Sequence, residues 1–316
     1  WIYEFKIKAT ANGLTDTAYQ DLSVTSATLA IGSYSWAQEA YIKAANNGAS
    51  DYFGYNVSLD QDTLTVGATG EDSNQTTITN GTTASAYNTN AYAGAVYVYK
   101  RSGSTWAQEA YIKAANNDSD NLGYSVSLDQ DTLTVGTYFE DSNQTTITNG
   151  TTASADNTND ASGAVYVYKR SGSTWAQEAY IKAANNGASD YFGESVSLDQ
   201  DTLAVGAIQE ESNQTTITNG TTASTDNTNT DAGAVYVYKR SGSTWAQEAY
   251  IKAINNDTSD NFGYSVSLDQ DTLAVGARHE DSNQTTITNG TTASATNVNT
   301  THNSGAVYVY REVAAL

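Results

Sequence analysis

Residues 53–68 read FGYNVSLDQDTLTVGA, and nearly the same string returns from Leu122, Phe192 and Phe262. Within it Phe53, Tyr55, Val57 and Leu59 alternate with Gly54, Asn56 and Ser58, the two-residue period of a pleated strand. The turn at Asp60-Gln61-Asp62 reverses the chain into Thr63-Leu64-Thr65-Val66, so the block predicts a β-hairpin. Downstream, GAVYVY begins at Gly94, Gly163, Gly233 and Gly305. Its valines face one way and its tyrosines the other, large on both sides, which calls for burial of both faces. A third block, WAQEAYIKA, begins at Trp36, Trp106, Trp175 and Trp245, at spacings of 70, 69 and 70 residues. After the Arg101-Ser102-Gly103-Ser104 turn it supplies a fourth strand through Tyr111 and Ile112.

Four short antiparallel strands in each repeat predict an all-β chain, a β-propeller of about five four-stranded blades. The blades are expected at 53–114, 122–183, 192–253 and 262–311. A reduced blade at 18–44 precedes them, where AYQDLSVTSATLAIGS resembles the hairpin block but the long loop and third strand are missing. The last unit ends after its third strand, whereas residues 1–9, WIYEFKIKA, match the fourth-strand block at Trp1, Glu4, Ile7, Lys8 and Ala9. This strand is expected to complete the C-terminal blade and close the ring, leaving no open edge. A tandem of small sandwiches is the rival, weakened because a unit lacking a strand must lean on its neighbours.

The chain of 316 residues is 39% hydrophobic and only 16% charged, with 35 acidic against 14 basic residues and a formal charge of −21. That charge repels nucleic-acid phosphates, so nucleic acid is excluded as a partner. No apolar run reaches the ~20 residues of a membrane-spanning helix, so no membrane insertion is expected. Cysteine is absent, which excludes disulfides and thiolate chemistry. With no methionine, the start at Trp1 reads as a processed terminus of a secreted product.

On FGYSVSLDQDTLAVGA and SGAVYVYKR the sequence resembles the FG-GAP repeats of integrin α subunits and many secreted bacterial proteins, over nearly the whole chain. The resemblance rests on Phe53-Gly54, Phe192-Gly193 and Phe262-Gly263, on Val66-Gly67-Ala68 and its copies, and on the GAVYVY strands. It implies a propeller and an adhesion role. Two features depart from the family. The calcium loop between the first two strands is cut to Leu-Asp-Gln-Asp-Thr-Leu, too short to wrap a cation in six to eight oxygens. The proline of the Gly-Ala-Pro signature is replaced by Thr69, Tyr138, Ile208 and Arg278, positions that vary while the strands do not.

Catalysis is not expected. The two histidines, His279 and His302, each occur in one repeat only, and acids repeated identically lack the asymmetry that splits an acid from a base. Paired acids follow the second strand at Glu71-Asp72, Glu140-Asp141, Glu210-Glu211 and Glu280-Asp281. With Asp60 and Asp62 they form a candidate set for a hard cation, Ca²⁺ being the one cofactor such carboxylates suit; adjacent acids also simply face water. The loops they open carry SNQTTITNGTTAS and are long enough to be functional or disordered. Their Asn-x-Thr triplets make Asn74, Asn80, Asn143, Asn149, Asn213, Asn219, Asn283 and Asn289 candidate glycosylation sites. Tyr and Trp at fixed strand positions read as core, whereas Tyr87 and Tyr92, absent from the other copies, are free for another role. The reading is a non-catalytic extracellular or cell-surface adhesion module that meets a protein or glycan partner through repeated acidic loops. Its alternative is a filament subunit that self-associates by donating residues 1–9 to a neighbour.

Overall fold

The hairpin forms as the alternation predicts: Val57 pairs with Val66 and Leu59 with Leu64 across an antiparallel ladder. The computed structural model describes residues 35–116, 118–293 and 303–313. The chain divides into two compact units, residues 1–39 and 40–316. Of the first, residues 35–39 are described and carry no strand.

In the second unit β1 (Phe53–Asp60), β2 (Thr63–Ala68), β3 (Thr79–Asn80), β4 (Ala95–Ser102) and β5 (Thr105–Ile112) form one antiparallel sheet in the order β1-β2-β4-β5-β3. The next sheet repeats that order with β6 (Ser125–Asp129), β7 (Thr132–Thr137), β8 (Thr148–Asn149), β9 (Ala164–Ser171) and β10 (Thr174–Ile181). The third does so with β11 (Phe192–Asp199), β12 (Thr202–Ala207), β13 (Ile217–Asn219), β14 (Ala234–Ser241) and β15 (Thr244–Ile251). The last has three strands, β16 (Phe262–Asp269), β17 (Thr272–Ala277) and β18 (Ala306–Arg311), as the sequence of its unit foretells.

The three complete sheets have five strands where four were expected. The extra strand comes from the long loop: Gln75 Nε2 donates to Thr77 O at 2.6 Å and Thr79 Oγ1 at 2.9 Å, bending the loop so that Thr79 lies opposite Tyr111. This covers the outer edge of β5, which would otherwise present unpaired backbone groups. In the second unit the inner strand begins at Ser125, because Leu122 makes only a parallel bridge to Gly94.

The tyrosine and valine faces of β4 are both buried, as are those of β9. Val96, Val98, Ala110 and Ile112 of the first sheet pack against Leu128, Leu133, Val135 and Tyr166 of the second, and the same layer recurs between the later sheets. The Phe-Gly and Val-Gly-Ala signatures meet in these layers. A Cβ on Gly136 would stand 2.0 Å from the carbonyl oxygen of Gly193, and Gly193 itself has φ +94°. Only glycine at both positions lets the two backbones approach so closely.

The sequence also places hydrogen bonds between sheets. Ser58 Oγ accepts from Leu128 N at 3.0 Å and Asp60 Oδ2 from Gln130 N at 2.8 Å. Ser127 and Asp129 do the same for Leu198 and Gln200 of the third sheet. The SLDQD turn is therefore a connector between inner strands.

Of the expected closed ring, the described residues show the stack and not the closure. No sheet is closed by hydrogen bonds among them, and Tyr55, Val57 and Leu59 at one end and Val307 and Val309 at the other are exposed. Residues 1–9 and 18–34, the closing strand and most of the reduced blade, lie outside the described residues. The rest of that blade, 35–44, has no strand, although Ile42 and Ala44 pack on the core of the first sheet. No helix among the described residues is long and apolar enough to cross a membrane.

Candidate functional site

Each acid pair is divided by the fold. Its first member turns inward from the end of the second strand. Lys113 Nζ lies 2.8 Å from Glu71 Oε2, Lys182 Nζ 2.6 Å from Glu140 Oε2, and Lys252 Nζ 2.7 Å from Glu210 Oε2, all six side chains buried. Glu140 also accepts from Tyr180 Oη at 2.6 Å and Asn116 Nδ2 at 3.0 Å, so its oxygens are fully engaged. Glu280 accepts from Asn255 Nδ2 at 2.8 Å and Ser282 Oγ at 3.1 Å. The second member ties the start of the long loop to its end: Asp72 accepts from Tyr92 N, Asp141 from Ala161 N and Asp281 from Asn303 N. Glu211 accepts from Asn229 N through its backbone oxygen. Asp60 joins the next sheet, and Asp62 pairs with Arg101 at 2.7 Å. Among the described residues no three carboxylates or imidazoles gather around a point where a metal could sit.

A further set of acids lies just before each inner strand. Burial raises the carboxyl of Asp120 to about 8 and those of Asp190 and Asp260 to about 7, and it raises that of Asp51 as well. Nearby carboxylates add to the effect, Glu140 at Asp120 and Glu210 at Asp190.

The long loops bind the next sheet. Asn80 accepts from Trp175 N at 2.7 Å and donates to Trp175 O at 3.2 Å, and Asn149 clasps Trp245 in the same way. Asn143 and Asn213 donate to Thr158 and Thr228 within their own loops. All eight candidate asparagines, Asn74, Asn219, Asn283 and Asn289 included, are exposed.

One cleft stands out on the surface, about 630 Å³ in volume, at the junction of the first two sheets. One wall is a row of rings supplied by the first two repeats. Tyr55 and Tyr124 lie 5.0 Å apart between centroids, Tyr124 and Tyr138 4.2 Å, and Tyr138 and Phe139 4.1 Å, with Tyr191 edge-on to Tyr138 at 5.4 Å. Tyr52 and Tyr92 also line it, with Asn121, Ser119, Asp141 and Asp160 as its polar groups. Burial pushes the Tyr124 and Tyr138 hydroxyls well above the usual range, so both stay protonated, and Tyr124 Oη donates to Glu194 at 3.0 Å.

The backbone under this cleft is strained. Tyr52 has φ 53° and Tyr92 φ 57°, left-handed conformations that cost a bulky side chain roughly 1–2 kcal/mol. The same conformation recurs at the corresponding positions, where Asn121, Tyr191 and Asn261 match Tyr52, and Ala161, Asp231 and Asn303 match Tyr92. Asn and Asp adopt it more cheaply. Tyrosine at these sites is thus a departure from the fold's easiest choice.

The cleft is built where the copies differ. Thr69-Gly70 in the first unit corresponds to Tyr138-Phe139, Ile208-Gln209 and Arg278-His279 in the others. Variation at Thr69, Tyr138, Ile208 and Arg278, and the singular Tyr92, were visible in the sequence. Their convergence was not, because the residues come from segments tens of positions apart. The buried lysines were overlooked too, although a lysine fixed at YIKA in each strand block was their signal.

A comparison with curated proteins returned no match. The FG-GAP repeat family matches residues 36–99, 175–238 and 245–310, more than half of the chain. These segments contain the equivalent approach of Gly206 to Gly263, where an added Cβ would stand 2.1 Å from a carbonyl oxygen, and the doubly buried GAVYVY strand of the first sheet. The chain belongs to the FG-GAP repeat family.

Proposed function

We propose that this chain is a non-catalytic interaction module working outside the cell, a propeller-type scaffold whose aromatic cleft takes the partner. The observation that carries the reading is the convergence of Tyr92, Tyr138 and Phe139, each without a Tyr, Phe or Trp counterpart in the other copies, on one cleft in an otherwise repeated molecule. Selection for stacking alone would keep the repeats alike, as it does in the strands. The long loops, engaged by the next sheet, act as braces and not as the partner-facing element.

Family membership supports the adhesion reading. The test exchanges Tyr138→Thr and Phe139→Gly together, writing the first unit's own residues into the second. Surface-immobilised parent protein is expected to retain cells or extracellular matrix material, and the double variant to lose most of that retention at unchanged melting temperature. Equal retention by both would remove the cleft from the function.

A second reading is favoured by the two exposed ends of the stack. Val307 and Val309 correspond to Val96 and Val98, which in the first sheet are covered by the second. A neighbouring molecule placing its own strand there would build a filament. Light scattering at rising concentration separates the readings: a constant mass fits the module, growth fits the filament.

A further inference from the structure

We infer that the cleft takes a neutral oligosaccharide, its pyranose rings laid along the row of aromatic side chains. This rests on the reading of the cleft as the partner site and adds the chemistry of the ligand.

Charge narrows the class first. No lysine or arginine lines the cleft, whereas Asp141 and Asp160 do, on a chain of net charge −21. A phosphorylated, sulfated or carboxylated ligand would meet only repulsion there. Hydrogen-bonding capacity narrows it further. Asn121 spends one of its two amide N–H groups on Thr69 O at 2.9 Å, leaving the other to donate and its oxygen to accept, and Asp141 spends one oxygen on Ala161 N, leaving the other. The cleft therefore offers a carboxylate and an amide oxygen as acceptors beside the hydroxyls of Thr69, Ser119 and Tyr138, and suits a ligand whose groups both donate and accept. Sugar hydroxyls meet that need, and hydrogen bonds to a carboxylate are the stronger kind.

The shape of the aromatic wall decides between a sugar and an organic cation. A cation site surrounds one point with ring faces. Here the rings run in sequence from Tyr55 through Tyr124 and Tyr138 to Phe139, tilted by 34–52° from one to the next. That makes an extended, ridged wall on which the C–H faces of successive pyranoses can lie, each gaining dispersion contact with a ring. The volume of about 630 Å³ suits a ligand of several rings and far exceeds a small ammonium ion. In the last sheet the site is not repeated: Arg278 stands 4.1 Å over the ring of Tyr264, the counterpart of Tyr55 and Tyr124, and covers it.

The test is calorimetric titration of the whole chain with cellohexaose, chitohexaose and mannohexaose, alongside tetramethylammonium and a sulfated hexasaccharide. At least one neutral hexasaccharide is expected to bind the parent, with affinity reduced roughly tenfold or more in the Tyr138→Thr/Phe139→Gly variant as ring contacts are lost. The sulfated sugar should not bind. Failure of all three neutral sugars, or neutral-sugar binding that the variant leaves intact, overturns the oligosaccharide. Tetramethylammonium binding that the variant abolishes, with no sugar bound, overturns the ligand class and keeps the cleft as the partner site. If the variant also retains full surface adhesion, the cleft reading falls as well.

Discussion

The ammonium of Lys182 lies 2.6 Å from Glu140 Oε2, in a place where neither side chain touches solvent. The pair sits between the outer strand and the end of the second strand of one sheet, and its counterparts Lys113–Glu71 and Lys252–Glu210 occupy the same place in the other two complete sheets. Removing one member leaves a buried charge without its partner, a cost of about 3–5 kcal/mol. Lys182→Met is therefore expected to destabilise the chain by that amount in denaturant unfolding. Adding Glu140→Leu should recover a large part of the loss, because the unpaired carboxylate goes with it. An additive double variant would show that the two residues act independently.

Stability should fall as pH rises from about 4 to about 8. The carboxyls of Asp120, Asp190 and Asp260 stand at about 8, 7 and 7 through burial, against an ordinary value of 3.8. Above pH ~4 the folded chain keeps protons that the unfolded chain has released. This contribution is thus complete below about pH 4 and disappears as pH rises through the folded-state values. Melting temperatures are expected to be higher at about pH 5 than at about pH 8.5. Asn at the three positions should flatten that slope. A slope unchanged in the triple variant would assign it to other groups.

The Asn80 clasp on Trp175 uses both its amide nitrogen and its oxygen. Asn80→Ala strands two backbone groups of Trp175 and should cost about 1–3 kcal/mol. In protein secreted by a glycosylating host, Asn80 and Asn149 are expected to be unmodified because the clasp occupies their amides, with any glycan on sites that make no such clasp, such as Asn74 or Asn289. Peptide mass spectrometry of the folded fraction checks this; substantial occupancy at Asn80 would contradict the clasp.

Glu280 is buried, and among the described residues no lysine pairs with it. In each complete sheet the pairing lysine stands seven residues after the tryptophan of WAQEAYIKA, as Lys182 follows Trp175. The same offset from Trp1 gives Lys8. If residues 1–9 complete the last sheet, Lys8→Met should destabilise as Lys182→Met does, and deleting residues 1–9 should cost more still. Adding the peptide back should restore the loss. Unchanged melting by both variants would refute the closure.

The repeat and its strands follow from the order of residues alone. Alternation in FGYNVSLD, two large faces in GAVYVY and the missing strand of the last unit are local facts of spacing. A pleated strand fixes side-chain direction by parity, so these could be read directly. Where neighbouring copies touch emerges only once the sheets are stacked. The acids after the second strand looked alike on paper, yet the backbone turns Glu140 onto a lysine about forty residues later and leaves Asp141 at the cleft. The serines and asparagines of the turns and loops gave no sign that their partners lay one whole repeat away. The cleft, likewise, joins Tyr55, Tyr92, Tyr124 and Tyr138 only because stacking sheets brings one rim of successive units together. Such contacts depend on distances across the stack, which a one-dimensional pattern does not contain.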